Sequence, residues 1–316
     1  MTGERRRAEE EVAAASRILV VGIGGGGDVA GALAFAEASR ALGTDAVVGG
    51  ITWERRPVDP LPGPRPLSDV VGLDETILDG VVGLAGPDTT GPGGFSFCES
   101  DMARFLGEPV VLLDINPGPA AIAAGLDAAA RALACDLVVL LDVGGDVLAH
   151  GDEPGLASPL ADATVLAAAP ALATPVLGAV FGIGCDGELT PDEVAARLDE
   201  VGAAGGLLED LPLPPAALDR VEAALAFVTT EASAMALRCA RGETGSVPIR
   251  GGRRTVPLTA DGGRMVVFDP AVAIRSAARL ALAVTDAPSL EGAQAILTAL
   301  GVRTELDYER EAAAAA

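Results

Sequence analysis

The stretch RILVVGIGGGGDVAGAL, residues 17–33, joins an apolar run to a glycine-rich loop and ends in a segment with helical spacing. The run at 17–22 predicts a short buried strand, and apolar residues spaced along 29–42 predict a helix that begins at Asp28. The glycines at 22–27 fit the G-x-G-x-x-G dinucleotide pattern letter for letter. Asp28, however, stands where a phosphate would bind, so the pattern alone leaves the ligand open.

The rest of the chain alternates strands and helices in the same way. Continuous apolar runs that indicate strands buried on both faces lie at 45–52, 109–115, 136–143 and 175–183. The segment 76–86 is either one strand or a bent pair. A hairpin is predicted at 245–258, another strand at 264–269, and two short helices after it. We therefore expect a doubly wound, mostly parallel Rossmann-like α/β sheet flanked by helices, with a mixed helix and hairpin C-terminal part.

Segments with helical spacing fill the intervals between the strands. They lie at 28–42, 98–106, 119–134, 158–169, 190–201 and 214–241. The last of these has an interruption near TTEAS, and the one at 190 opens with a capping box of Thr190 and Glu193. No clean linker divides the chain. We expect a single domain over 16–310, with a core at 16–210, a C-terminal part at 211–310, and flexible termini at 1–15 and 311–316.

Composition narrows the chemistry that the protein can perform. All 22 basic residues are arginine, which excludes Schiff-base lysines and the phosphate-loop lysine. The single histidine, His150, excludes multi-histidine metal sites and makes a serine–histidine triad implausible. Catalysis must then use carboxylates, arginines, backbone amides, a thiol, a hydroxyl or a hard metal ion.

Charge and cysteine content bear on partners and compartment. A net charge of −23 argues against nucleic acid and favours small molecules or self-association into a homo-oligomer. No uncharged apolar stretch reaches the ~18 residues of a membrane span, so we expect no membrane partner. Four widely spaced cysteines are expected to be free thiols, which indicates a cytoplasmic protein.

Three apolar strands end in glycines followed by acids, and we expect these turns to share one edge. They read VVGIGGGGD at 20–28, LLDVGGD at 140–146 and VFGIGCDGE at 180–188. In an open parallel sheet, ligands bind outside the carboxyl ends of the strands. The turns therefore bring together Asp28, Asp142, Asp146, Asp186 and Glu188. Taken singly, Asp28 and Asp186 could each be an ordinary helix cap, and Asp162 a solvated residue on a helix face.

Crowded carboxylates disfavour NAD or FAD, because Asp28 would compete with the pyrophosphate for the helix-terminal amides. Two other ligands fit. A Mg²⁺ ion held by Asp142, Asp146 and Asp186 could join them to a phosphate. Alternatively, the substrate could carry its own cation, such as an amine. Arginine forks that bind anions are available in the proline-rich loop 53–69 and in the hairpin.

These considerations predict an enzyme that binds a phosphorylated or nucleotide-like small molecule. The alternatives are a metal-independent lyase, cyclase or hydrolase for an amino-bearing acid, and a ligand-sensing protein without turnover. The candidate catalytic residues are Asp142, Asp146, Asp186 and Glu54. The candidate ligand-binding residues are Gly24, Gly25, Gly26, Gly27, Asp28, Arg55, Arg65, Glu153, Glu188, Arg250 and Arg254. We expect the loop 53–69 to fold over the site as a lid and to bring Glu54 and Arg55 close.

Several of these segments together resemble a known family. The blocks GIGGGGDVAGAL, WERRPVDPLPGPR, DVGGDVLAHGDEPGLASPLADA, GIGCDGELT, TEAS and IRGGRR are similar, in order and spacing, to those of domain of unknown function 1152. The resemblance runs from residue 18 to 254 and implies no particular activity. The chemically active residues inside the blocks are Asp28, Glu54, Arg55, Asp59, Arg65, Asp142, Asp146, Glu153, Asp162, Asp186, Glu188, Glu231, Arg250 and Arg254.

Overall fold

The computed structural model describes residues 7–315, and within them the chain forms ten strands and twelve α-helices. The strands are β1 Arg17–Gly22, β2 Asp45–Ile51, β3 Val71–Leu78, β4 Val82–Thr90, β5 Val110–Leu113, β6 Leu137–Val143, β7 Val176–Phe181, β8 Gly245–Ile249, β9 Arg254–Leu258 and β10 Met265–Phe268. The helices are α1 Ala8–Ala14, α2 Asp28–Ala41, α3 Cys98–Leu106, α4 Pro119–Ala132, α5 Pro159–Leu166, α6 Pro191–Ala203, α7 Pro215–Ala224, α8 Glu231–Ala240, α9 Pro270–Ser276, α10 Arg279–Val284, α11 Leu290–Ala299 and α12 Glu305–Ala314.

Eight strands form one mostly parallel sheet in the order β10-β7-β6-β1-β2-β5-β4-β3. The five strands from β7 to β5 are mutually parallel, whereas β10, β4 and β3 each run antiparallel to the inner neighbour. The chain passes from β1 through β2 to β5 on one side, and then returns to place β6 and β7 on the other. A topological switch point therefore lies between β1 and β6. The predicted fold class, a Rossmann-like α/β sheet, is confirmed.

The central strands are buried because helices cover both faces of the sheet. In β1, Leu19 and Val21 belong to the hydrophobic core on one face, whereas Ile18 and Val20 belong to the core on the other. All four side chains are fully buried. Successive side chains of a strand point to opposite faces, so a run that is apolar at every position can be buried only between two layers.

The structure decides between the two alternatives for residues 76–86 and corrects the number of helices predicted after the last strand. The bent-pair alternative is correct: β3 and β4 form an antiparallel hairpin at the outer edge of the sheet. The helical stretch 214–241 is broken into α7 and α8, and the capping box at Thr190 and Glu193 is present at the start of α6. Four helices, α9 to α12, follow β10 instead of the predicted two.

In the described part of the chain, helices extend into both of the termini that the sequence predicts to be flexible. Residues 1–6 and 316, which belong to the termini predicted to be flexible, lie outside the described residues. Helix α1, however, already begins at Ala8 and buries Val12 against the sheet. Helix α12 extends to Ala314, and Glu305 and Leu306 are buried at its start. No helix in 7–315 is both long enough and apolar enough to cross a membrane.

Candidate functional site

The three glycine–acid turns follow adjacent parallel strands, and their acids meet at the switch point. Asp28 opens α2 directly after the β1 turn, Asp142 lies near the end of β6, and Asp186 follows β7. The Asp28 Oδ2 atom accepts hydrogen bonds from the amides of Gly24, at 3.0 Å, and Val143, at 3.3 Å. Asp28 therefore ties the β1 turn to β6 and does not cap α2, whose N-cap residue is Gly27.

The first carboxylate trio consists of Asp28, Asp142 and Asp162. Each residue offers a carboxylate oxygen, and these oxygens lie within 4.8 Å of one another. Relative exposures of 9%, 1% and 2% show that little bulk water reaches the trio. The Asp162 Oδ1 atom is buried without a hydrogen-bond partner among the described residues. Buried polar atoms are normally paired, so an orphaned carboxylate oxygen here is consistent with a ligand position.

Asp162 lies inside a family block but is not among the candidate site residues named from the sequence, because an acid on a helix face can simply be solvated. It lies on α5, whose residues are all buried between the sheet and the C-terminal helices. The sequence signals for it are its position at the end of the acid-rich segment 142–162 and its place inside a family block.

The second carboxylate trio consists of Asp146, Asp186 and Glu188, whose oxygens also lie within 4.8 Å of one another. Asp186 is 5% exposed, and its Oδ1 atom has no hydrogen-bond partner within 7–315. Glu188 is engaged: it accepts the amides of Ala157 and Ser158 at 2.7 and 2.8 Å and pairs with Arg254 at 3.0 Å.

Burial raises the pKa of all five aspartates in the two trios, and neighbouring carboxylates add to this for four of them, Asp142, Asp146, Asp162 and Asp186. Burial raises the pKa of Asp28 to about 7, and burial together with the Glu188 charge raises the pKa of Asp186 to about 7. The pKa values of Asp142, Asp146 and Asp162 lie well above the ordinary value, first because of burial and then because of neighbouring carboxylates. The cluster therefore takes up protons at neutral pH unless a cation compensates its charge.

Arg55, predicted to bind an anion, is committed to partners within the protein. Its Nη2 atom donates to the carbonyl of Gly24 at 2.8 Å and lies 3.4 Å from Glu305, while Nη1 lies 3.6 Å from Glu309. The guanidinium also stacks 4.2 Å above the ring of Trp53. Arg55 consequently links the glycine loop to α12. Its partners Glu305 and Glu309 belong to the site, and they were not identified from the sequence.

Two other predicted arginines are engaged inside the protein, and one remains exposed. Arg65 forms a buried ion pair with Asp59 at 2.9 Å and donates to carbonyls of its own loop, so it holds the loop together and is not a ligand clamp. Arg254 is held by Glu188 and also donates to the carbonyl of Asp186. Arg250 is largely exposed, but its charge lowers the pKa of both Asp28 and Asp186, which places it beside the site.

Glu153, predicted to bind a ligand, lies in a separate cluster. It accepts the amides of His150 and Gly151 and the guanidinium of Arg197 at 2.9 Å. His150 in turn lies 3.2 Å from Glu200. These contacts shape the turn after β6 and give Glu153 a structural role.

The glycine loop makes room for neighbouring groups and offers fewer free amides than expected. The amide of Gly24 donates to Asp28, and the amide of Gly26 donates to the carbonyl of Trp53 at 3.0 Å. A Cβ atom on Gly24 would lie 2.7 Å from Asp28 Oδ2 and 3.2 Å from Asp162. Gly25 has a φ of +88° and packs against Trp53. Two of the four amides of the predicted cradle at Gly24–Gly27 are thus engaged within the protein, and the glycines also admit carboxylates and the backbone at Trp53.

Glu54 lies beside the glycine loop, as the lid hypothesis required, but it faces α3. Its Oε1 atom accepts the amide of Cys98 at 2.6 Å. Burial raises the pKa of Glu54, and burial together with Glu54 raises the pKa of Glu99 well above its usual range. Burial and these carboxylates also raise the pKa of the Cys98 thiol, so the start of α3 does not activate it. Glu99 is a second buried acid that the sequence did not reveal.

One cavity lies beside the second carboxylate trio. A cavity of about 200 Å³ is lined by Gly155, Gly187, Glu188 and the start of α6, and it adjoins the second trio through Glu188. A second cavity of about 370 Å³ lies near His150 and Arg279. Neither of these two cavities is lined by Asp28, Asp142 or Asp186, so the pocket lined by these acids stays a prediction.

Comparisons with known proteins agree with the resemblance carried by the sequence blocks. Comparison with curated proteins and with solved structures gave no significant match. One family model, described as protein of unknown function (DUF1152), matches residues 19–313, which cover both carboxylate trios, the loop 53–69 and the two glutamates of α12 that pair with Arg55. The chain therefore belongs to the DUF1152 family.

Proposed function

We propose that this protein is an enzyme for a phosphorylated or nucleotide-like small molecule, with a divalent cation such as Mg²⁺ joining the phosphate to the first carboxylate trio. The observation that carries the proposal is Asp162: its buried Oδ1 atom has no hydrogen-bond partner among the described residues, and one of its carboxylate oxygens lies within 4.8 Å of oxygens from Asp28 and Asp142. Carboxylate oxygens are the protein ligands that Mg²⁺ prefers, and a bound Mg²⁺ keeps open positions for phosphate oxygens and water.

The location of the trio supports a ligand-binding role. Ligands of open α/β sheets bind outside the carboxyl ends of the strands at the switch point, which here lies between β1 and β6. Asp28 and Asp142 flank this point. The cavity beside Glu188 provides space for the remainder of a small substrate. Asp146 and Asp186 are available for further cation binding or for a general base.

The proposal also covers the partners and the cellular location of the enzyme. The net charge of −23 disfavours nucleic acid as a partner and leaves small molecules or a second copy of the chain. Four free cysteines fit a cytoplasmic location. The glycine-rich loop acts in this proposal by letting the acids and the lid backbone approach, and its contribution to ligand binding is indirect.

Calorimetric titration with Mg²⁺, followed by a panel of nucleotides and sugar phosphates with and without the metal, tests the proposal. We expect Mg²⁺ binding and at least one phosphorylated ligand whose affinity depends on Mg²⁺. The Asp142→Asn variant should weaken Mg²⁺ binding by at least about tenfold, because it removes a direct ligand. The matched control is Asp199→Asn, which removes the same charge from the exposed face of α6. No response to the panel in either condition contradicts the proposal.

A second candidate function follows from the raised pKa values of Asp28 and Asp186, which suit proton transfer without a metal. The protein would then be a lyase, cyclase or hydrolase for an amino-bearing acid, whose amine replaces the cation. Thermal-shift screening against amino acids in the presence of a chelator distinguishes this function from the first. Tight binding of an unmodified metabolite without product would instead support a ligand-sensing protein.

A further inference from the structure

We propose that the site binds two divalent cations side by side, the first held by Asp28, Asp142 and Asp162 and the second held by Asp146 and Asp186. This inference rests on the metal-dependent form of the proposed function and specifies the composition of its site.

The second position has evidence of its own, independent of the first trio. Asp186 is only 5% exposed, and its Oδ1 atom has no hydrogen-bond partner within the described residues. A carboxylate oxygen of Asp146 lies within 4.8 Å of a carboxylate oxygen of Asp186. Two buried carboxylates this close repel each other when both are ionised, unless a cation lies between them.

The charges of Arg55, Arg250 and Arg254 lower the pKa of Asp28 or Asp186, but each of these arginines is also paired with a glutamate. Arg55 is balanced by Glu305 and Glu309, and Arg254 is balanced by Glu188. Five aspartates remain in the two trios, Asp28, Asp142 and Asp162 in one and Asp146 and Asp186 in the other. One divalent cation offsets two negative charges, so three would stay buried without a counterion, whereas two cations leave one.

The two positions are adjacent because the turns that carry them pack directly together. Gly144 has a φ of +137°, and a Cβ atom on it would overlap the carboxyl group of Asp186. The amide of Gly184 donates to the carbonyl of Gly144 at 2.7 Å, which joins the β6 and β7 turns. Asp142 precedes Gly144 and Asp146 follows it, so this one turn supplies a ligand to each cation. Paired cations of this kind clamp the attacking and leaving oxygens of a phosphoryl group.

Glu188 has a supporting role in this arrangement. Both of its oxygens are engaged, by the amides of Ala157 and Ser158, by the Ser158 hydroxyl and by Arg254. It orients the segment at Ala157 and Ser158, and we do not count it among the direct ligands of the second cation.

Titration of the full chain with Mn²⁺ tests the inference, with metal content measured by mass spectrometry and coupling between ions measured by electron paramagnetic resonance. We expect two ions per chain and a spin-coupled signal at saturation. Asp162→Asn and Asp186→Asn should each retain one ion and lose the coupling, whereas the surface control Asp199→Asn should retain both. If Asp186→Asn does not fold, Asp146→Asn tests the same position.

The possible outcomes separate this inference from the proposed function. Saturation at one ion overturns the two-cation site and leaves the proposed function intact. Two ions without coupling overturn the side-by-side arrangement. No bound ion at all contradicts both the inference and the metal-dependent function.

Discussion

The amide of Gly24 donates a 3.0 Å hydrogen bond to the Oδ2 atom of Asp28, four residues later. This contact turns the Asp28 carboxylate away from the helix that it opens and toward β6 and Asp162. A side chain at position 24 has no space, because a Cβ atom would lie 2.7 Å from Asp28 and 3.2 Å from Asp162. Position 24 therefore requires glycine because the carboxylate cluster occupies the space that a side chain would need.

The first prediction concerns the Gly24→Ala variant. The added methyl group must displace two buried carboxylates, so we expect a loss of about 1–3 kcal/mol in the free energy of unfolding and weaker Mg²⁺ binding. Chemical denaturation and calorimetry measure the two effects. Gly43→Ala is the control: it strains a residue with φ of +92° that has open space around it and lies outside the site. Loss of Mg²⁺ affinity in the control as well would show that the effect is not local.

The second prediction is that the metal-free protein loses stability as pH rises. The pKa values of Asp28 and Asp186 rise from the ordinary 3.8 to about 7 in the folded protein, chiefly through burial. The folded state then binds more protons than the unfolded state between about pH 4 and pH 7, so stability declines across this window. Thermal unfolding in the presence of a chelator should show the decline, and Mg²⁺ should reverse it most strongly above neutral pH.

The Asp28→Asn variant serves as the control for this pH dependence. It keeps the amide hydrogen bond geometry near Gly24 available through the side-chain oxygen but removes one titrating group, so its pH profile should be flatter. A wild-type profile that rises steadily from about pH 5 to pH 8 in the absence of metal would contradict the prediction.

The third prediction concerns Glu99, which is 1% exposed and has a buried Oε2 atom without a partner in the described part of the chain. Burial and Glu54 raise its pKa well above 4.5, so the folded protein holds it protonated while the unfolded chain ionises it. Glu99→Gln reproduces the neutral form and should stabilise the protein by about 1 kcal/mol or more at slightly alkaline pH. Glu75→Gln, on the exposed face of β3, should have little effect. Equal unfolding midpoints for Glu99→Gln and wild type at alkaline pH would count against it.

The fourth prediction separates the two arginines that follow Glu54. Arg55→Met keeps an apolar side chain over Trp53 but leaves Glu305 and Glu309 buried without their cation, so we expect destabilisation of roughly 3–5 kcal/mol. Arg56→Met is the matched control, because Arg56 forms no ion pair within 7–315. Denaturant midpoints measure both. Similar midpoints for the two variants would remove Arg55 from its role in joining the glycine loop to α12.

The amino-acid sequence was sufficient to predict the sheet and the meeting of the three turns. Continuous apolar strands such as 137–143 are visible in a window of a few residues, because burial on both faces requires an apolar side chain at every position. Parallel strands also end at one edge, so the proximity of Asp28, Asp142 and Asp186 followed from the order of strands and turns alone.

The partners of the charged side chains could not be obtained in this way. Arg55 and Glu305 are 250 residues apart, and Asp162 reaches the first trio from a helix whose acid looked solvated. Arg65 and Arg55 have the same local signal, yet one pairs within its loop and the other with α12. Local periodicity shows which face of a helix or strand is buried. The partner of a buried charge depends instead on which distant elements pack against that face, and only the tertiary structure decides this.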